Sequence, residues 1–381
     1  MAGNTLTGLI PTIYTALNVV SRELIGFIPA VSRNTKADAA AVGQTVTAPV
    51  ALPATAVDIV PGATAPDNGE QTVGTVGVTI TKSKMVPVKW NGEEQLGLGP
   101  AGTYNTILAD QFQEAFRALA NEVEGDLGGL YFGSSRAVGT AGTAPFGVKE
   151  DFSDFANTNQ VLDDNGAPKT GRQMVLGSNA ITNIRGKQSL LFKANEAGTD
   201  ELLRQGIIGQ VEGFNIHNSA GVKRVAAATG AGYLVNNAAG YNIGDRLIAV
   251  DTGTGTVPIG TPITFAGDTN KYVVAASTAT VITLAYPGLR QAVADNAAIT
   301  VGGAFTANMA FSKNAFLLAA RTPAMPQGGD SADDVMTVTD PVSNISFQVA
   351  LYRQYHQVRY EVGLAWGVAS IAPQHSTILL G

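Results

Sequence analysis

His217, His356 and His375 are the only imidazoles in the 381 residues, and cysteine is absent. The three stand far apart, and none lies at metal-ligand spacing from a partner. A zinc site would have to draw one of them together with scattered carboxylates that nothing singles out. Each reads as an ordinary partly buried or surface histidine. Without cysteine there is no disulfide framework, no thiolate metal site and no thiol nucleophile.

The short motifs that resemble chemistry each fail on a required position. Gly186-Lys187 is followed by Gln188 and lacks the upstream glycine of a phosphate loop. Gly253-Thr254-Gly255-Thr256 begins like a dinucleotide fingerprint, but Pro258 stands where the third glycine belongs. Asp163-Asp164-Asn165-Gly166 has neither the length nor the closing glutamate of a calcium loop. Gly177-Ser178-Asn179 lacks the flanking glycines of a nucleophile elbow. Asp110, Glu114 and Glu122 read as the solvated side of a helix. No catalytic, cofactor-binding or metal-ligating residue is therefore assigned; the expectation is a protein that is not an enzyme and needs no cofactor.

Lys82, Lys84 and Lys89 leave two readings open. They either solubilise and blunt a β edge or meet acidic groups on a neighbouring subunit. Charge is scarce elsewhere: 24 basic and 30 acidic residues give a net charge of -6 and a charged fraction of 14%, against ~25% in an ordinary soluble domain. A mildly acidic chain is a poor candidate for reading nucleic acid through a basic face. A surface so short of charge is hard to keep hydrated as a monomer, so much of it is expected to be covered by copies of the same chain. No apolar run reaches the length of a membrane span, and Met1 to Pro11 lacks the basic region and apolar core of a signal peptide.

The elements that would carry such a surface can be read from periodicity. Ile13, Leu17, Val20, Leu24 and Phe27 recur at helical spacing with Pro11 near the start. This helix is either packed on its own domain or an arm reaching a neighbour. Val31 to Pro61 is extended and broken by prolines, which bars it from the middle of a sheet. Thr72–Thr81 and Lys82–Trp90 alternate, predicting long strands or a two-stranded loop. An isolated ribbon is marginal in water, so it lies on the main body or, as we favour, across another subunit. Tyr104 to Leu127 is the clearest helix, with Tyr104, Leu108, Phe112, Phe116, Leu119, Val123 and Leu127 on one face and Asp110, Gln113, Glu114, Arg117, Asn121 and Glu124 elsewhere. Its length is roughly 36 Å, that of a domain spine.

Beyond it, 125–147 reads as loop, Phe152 and Phe155 open a short element, and Leu162–Gly166 is a turn. Arg172–Leu176 is a strand, followed by a short helix, Ala180–Leu191, with Ser178 as its cap. Leu202, Leu203, Ile207, Ile208 and Val211 lead to a strand ending near Asn218. From about 226 to 308 short β runs recur between glycines, aspartates and prolines, the pattern of a small all-β module. Its aromatic residues, Phe265, Tyr272, Tyr286 and Phe305, are too scattered for a carbohydrate groove. Ala310–Ala319 suggests a short helix capped by Ser312. Phe347–Tyr352 and Gln357–Leu364 predict two adjacent long strands.

Several of these segments resemble a known family. Asn4-Thr5-Leu6-Thr7 with the helix through Tyr14 and Arg22-Glu23-Leu24 is similar to the start of the major capsid (coat) protein of short-tailed Salmonella-type phages and their relatives. Gly206 to Ile216 with His217 and Ser219, then Phe311-Ser312-Lys313-Asn314-Ala315-Phe316, then Leu364-Ala365-Trp366-Gly367-Val368-Ala369 with Pro373, resemble later passages of that family in order. The resemblance implies an α+β Hong Kong 97-type capsid fold. It would comprise an N-terminal arm (1–49), an extended loop (50–98), a peripheral domain with a long spine helix and the start of the axial domain (99–200), axial domain (201–225), an inserted β-rich domain (226–308) and a return through axial and peripheral domains (309–381). It also implies a virion protein assembled in the host cytoplasm. Its partners would be itself in hexamers and pentamers, scaffolding protein, portal protein, a decoration protein in some shells, and packaged double-stranded DNA bound without sequence specificity; no membrane is implied. The insertion is shorter than in the best-known members, so its contacts are expected to differ. No asparagine and acidic catalyst match the isopeptide cross-link of the wider fold, so a non-covalent shell is expected. The alternatives are a non-viral self-assembling structural protein and a β-rich binding or hydrolytic protein.

Overall fold

In the computed structural model, which describes residues 9–23, 26–51, 58, 61, 73–98, 103–188, 208–341 and 343–381, the N-terminal spacing becomes helix α1 (Ile10–Glu23). Phe27 belongs to a separate turn, α2 (Phe27–Ala30); Leu24 lies outside the described residues. Strands β1 (Ser32–Ala40), β2 (Thr45–Ala51), β3 (Val73–Thr79) and β4 (Lys82–Asn91) lead to α3 (Gly92–Leu98) and the long α4 (Thr103–Gly129). The expected loop at 125–147 is loop from 139 to 147, but before that it holds the end of that helix, a 3-10 turn at Leu130–Gly133 and β5 (Arg136–Val138). Next come α5 (Ser153–Asp164), β6 (Arg172–Leu176), α6 (Ser178–Lys187), β7 (Gln210–Val211), β8 (Phe214–Asn218) and β9 (Arg224–Val225). The β-rich segment holds β10 (Leu234–Val235), β11 (Leu247–Asp251), β12 (Pro262–Phe265), β13 (Lys271–Ser277), β14 (Val281–Leu284) and β15 (Ile299–Val301). The chain returns through β16 (Phe305–Ser312), β17 (Phe316–Pro323), β18 (Asp334–Thr339), β19 (Ser346–Gln354), β20 (Gln357–Ser370) and β21 (Ser376–Leu380). The fold is mixed α+β.

One sheet, in the order β1-β17-β20-β19-β18 with β4 on the opposite edge of β20, carries α4 on one face. The apolar stripe of α4 lands there as its spacing predicts: Phe112 meets Tyr360 edge to face at 5.6 Å and Phe116 meets Phe347 at 5.0 Å. The other face bears a smaller cluster of Ala40, Val78, Ile80, Leu317, Ala319 and Ala365. A second sheet runs β10-β11-β14-β13-β5-β21-β16-β6-β8-β7. Helices α5 and α6 pack on its body end through Phe155, Leu162, Ile181 and Ile184. The β-rich segment has its own core around Tyr233, Val250, Phe265, Tyr272 and Leu284, yet β13 pairs with β5 and joins it to the body.

Several expectations change. Ala310–Ala319 is not a helix but the end of β16, a single 3-10 turn and the start of β17. Both strands are buried along nearly their whole length, and a short run that is apolar on every side carries no period to separate helix from strand. Ser178 is the first residue of α6 rather than its cap; Gly177 holds the cap position without a side-chain bond. Leu162 to Asp164 is still helix, and the turn begins at Asn165. Leu202, Leu203 and Ile207 lie outside the described residues.

Candidate assembly surfaces

The histidines are not brought together. His217 on β8 meets Gln173 of β6 at 2.8 Å, His356 sits in the β19–β20 turn, and His375 precedes β21, where burial lowers its pKa. Among the described residues no three His, Cys, Asp or Glu side chains are arranged to hold a metal ion. No helix of the described residues is long and apolar enough to cross a membrane.

Two of the lysines are taken within the subunit. Lys82 Nζ donates to Asp126 at 2.8 Å and to Glu122 at 3.4 Å, and Lys84 Nζ also pairs with Glu122. Both acidic partners lie where β4 passes the C-terminal half of α4. Hydrogen bonding to Lys84, then to Lys82, holds the Glu122 carboxyl below its ordinary range, and the Asp126 hydrogen bond raises the pKa of Lys82. The reading of these two lysines as contacts to a neighbour gives way to this clamp, and Glu122 is gripped rather than simply solvated. Lys89, further along β4, is exposed.

The spine helix also holds a residue that the sequence reading placed on the polar side. Glu124 is only 7% exposed. Its carboxylate accepts from the backbone N–H of Phe27 (2.8 Å) and Ile28 (2.7 Å) and from the hydroxyl of Ser219 (2.7 Å). One side chain thus satisfies the orphan donors at the start of α2 and ties them to the loop after β8. The signal was present in the spacing: Glu124 stands four residues after Ala120 and three before Leu127, on the buried stripe. Gly128 makes the approach possible, since a Cβ there would lie 2.1 Å from the Gly221 carbonyl oxygen.

The two slender N-terminal elements differ in what covers them. Helix α1 lies on α4 of the same subunit, with Ile13 at 0% and Leu17 at 1% exposure within the main core. Of the two readings of this helix, packing on its own domain is the one observed and the arm reaching a neighbour gives way: the apolar stripe is the one that covers α4. Strands β2 and β3 pair with each other in register from Thr45↔Thr79 to Ala51↔Val73. The expectation that the alternating runs on either side of Thr81 form one ribbon is also corrected. Strand β4 leaves to pair with β20 from Gln357↔Asn91 to Trp366↔Lys82, and Pro87 is tolerated there because β4 is an edge. At the root of the ribbon Val78 and Ile80 are buried against the sheet. The missing side chain of Gly367 admits the Thr79 carbonyl, which a Cβ would meet at 2.0 Å. Away from the root, among the described side chains, Thr47, Thr75 and Gly77 are exposed and Val76 is only half-buried.

Large apolar side chains are also exposed in two further places. Tyr355, 89% exposed, tips the β19–β20 hairpin, and exposed Leu96 belongs to α3, which is tied to that hairpin by the Gly92 N–H to His356 carbonyl bond. On the β-rich segment Ile243, Leu247 and Tyr286 are exposed, with the Arg246 guanidinium 5.9 Å from the Tyr286 ring.

No family model matches the chain, and no curated protein matches it. Among solved structures it is similar to a chain of Mycobacterium phage Che8, at 14% identity over 88% of this chain and 84% of that one, with a TM-score of 0.44. It is similar to the capsid of the cyanophage P-SCSP1u, at 10% identity over 93% and 87%, with a TM-score of 0.48. It is also similar to a virus-like particle from Pyrococcus furiosus, at 9% identity over 97% and 99%, with a TM-score of 0.44.

Proposed function

We propose that this chain is a major capsid protein: it assembles with copies of itself into the hexons and pentons of a closed icosahedral shell around the double-stranded DNA of a tailed phage. The observation that carries the reading is the β2–β3 ribbon. A two-stranded ribbon is marginal in water, and outside its root the described side chains of this one have little of their own subunit to cover them. Its stability calls for another surface, and in a chain with so few charges a second copy is the economical source. Support for the phage form of the reading comes from element order, since a ribbon, a long helix on a sheet and a second sheet bearing a β module follow one another as the sequence resemblance implies. Helix α1 gives no such support, being covered within the subunit.

The mechanism is assembly rather than catalysis, without a cofactor. Thin elements re-aim between non-identical neighbours while the cored body stays rigid, and many modest contacts sum to a stable shell while single ones remain reversible. A chain of net charge -6 lines a DNA-filled shell without gripping phosphates, whose contacts would hold the genome through counterion release. Scaffolding and portal proteins are its expected assembly partners, with the virion as its destination. Sedimentation and electron microscopy of the purified protein, alone and with its scaffold, test this. Shells, or rings of five and six, are expected; a stable monomer that turns over a substrate would replace the reading with an enzyme.

A further inference from the structure

Sheet edges expose unpaired backbone N–H and C=O groups, and folded proteins guard them with lysine, proline, bulges or shortness. Most edges of this molecule are guarded in those ways. Strand β4 carries Lys82, Lys84, Pro87 and Lys89. Strand β1 has Lys36 and a break in register between Thr35 and Ala39. Strand β2 has Pro49 at its centre, and the second sheet ends on β7 and β10, each of two residues. Among the described residues, two long edges have no such device.

One is β3 (VGTVGVT), which among the described residues pairs only with β2. The other is β18 (DVMTVT), which among the described residues likewise pairs only with β19, from Asp334↔Leu351 to Thr339↔Ser346. Neither contains lysine, arginine or proline. Both are rich in valine and threonine, which suit a pleated surface, and both extend about 20 Å at ~3.3 Å per residue. Val335, Thr337 and Thr339 on β18 are exposed, as are Thr75, Gly77 and Thr79 on β3.

We infer that these two edges are made for each other across subunits: β3 of one copy adds to β18 of the next, extending the helix-bearing sheet by the neighbour's ribbon. Resting on the shell reading, the inference names the surface that receives the ribbon. Backbone hydrogen bonds supply the attachment, as in other strand-addition contacts. The near absence of charge on both strands removes any like-charge penalty. Because β3 and β18 are different patches, the contact is head to tail, the kind that closes rings when its rotation closes.

The chain has no cysteine, so disulfide trapping has a clean background. Thr75→Cys is combined in turn with Val335→Cys, Thr337→Cys and Thr339→Cys, with Thr75→Cys plus Lys89→Cys on the guarded edge as control. Air oxidation of assembled particles is followed by a non-reducing denaturing gel. At least one of the three pairs is expected to convert the monomer band into a ladder of covalent multimers, while the control stays monomeric. Assembled particles in which all three pairs stay monomeric, or link only within a chain, would overturn the pairing and leave the shell reading intact. A wild-type protein that forms no rings or shells overturns the shell reading itself, and the pairing with it. Hydrogen exchange on wild-type particles needs no substitution: the amides of 335–339 should slow on assembly, and unchanged exchange there would also refute the pairing.

Discussion

Helix α1 and the β2–β3 ribbon are both narrow, both near the N-terminus and both patterned to bury one side. The helix finds its cover at home, where Ile13, Ala16 and Leu17 join the α4 core. Among its described residues the ribbon finds cover at its root, where Val78 and Ile80 meet the sheet. An amphipathic helix needs only one matching stripe, and α4 offers it a rod of apolar side chains over several turns. A ribbon has two faces and two edges to satisfy, and the body sheet has already given its β20 edge to β4. The same kind of sequence signal therefore marks self-packing in one case and an unfilled surface in the other.

This contrast can be broken by cutting each element. The largest effect is expected from replacing residues 47–77 by an Asn-Gly turn, which keeps Val46, the buried Val78 and Ile80 in place. The ladder bond from Ile80 N–H to the Gln44 carbonyl, 2.9 Å, brings the two ends close enough for such a closure. Assembly should be abolished in electron micrographs, while the melting temperature of the unassembled subunit stays within a few degrees. A collapse of that temperature would place the ribbon in the subunit's own core. The opposite behaviour belongs to α1. Leu17→Ala should cost about 2–4 kcal/mol of subunit stability through the cavity it leaves, measured by denaturant unfolding.

Glu124→Ala sharpens the comparison at the junction between α2, α4 and the loop after β8. It strips the acceptor from two backbone N–H groups and one hydroxyl, and unsatisfied buried donors cost about 1–3 kcal/mol each. A loss of about 3 kcal/mol is expected, and a loss below about 0.5 kcal/mol would mean that the junction is not sealed from water.

The smallest effect is expected from the lysine clamp. Lys84→Ala should cost less than about 1 kcal/mol, because the pair is partly exposed. Since Glu122 titrates below its ordinary value of 4.5, its contribution is present above that value and is lost as pH falls through the folded pKa. Wild type and Lys84→Ala should therefore converge in stability at strongly acidic pH. A gap that persists there would assign the loss to packing instead.

Much of the architecture was legible because periodicity and burial agree. The α4 stripe and strands β11 and β14 each bury one side and repeat or alternate accordingly. The segment 310–319 was misread because β16 and β17 are buried on both faces, which erases the period. The partner of β4 was hidden for another reason: nearness in sequence suggested β3, whereas the ladder is made with β20, far along the chain. Glu124 was misassigned by residue type despite its stripe spacing. At the surfaces, alternation and prolines revealed the ribbon, but the destinations of Lys82 and Lys84 depended on how β4 crosses α4, a tertiary relation no local pattern records.

The central claim is that the ribbon is completed by another copy. Hydrogen exchange of the unassembled subunit and of assembled particles, read at 45–51 and 73–79 against α1, tests it directly. The ribbon amides should exchange quickly in the free subunit and slow by orders of magnitude on assembly, while α1 stays protected in both. Ribbon amides that are equally protected in the two states would contradict the account.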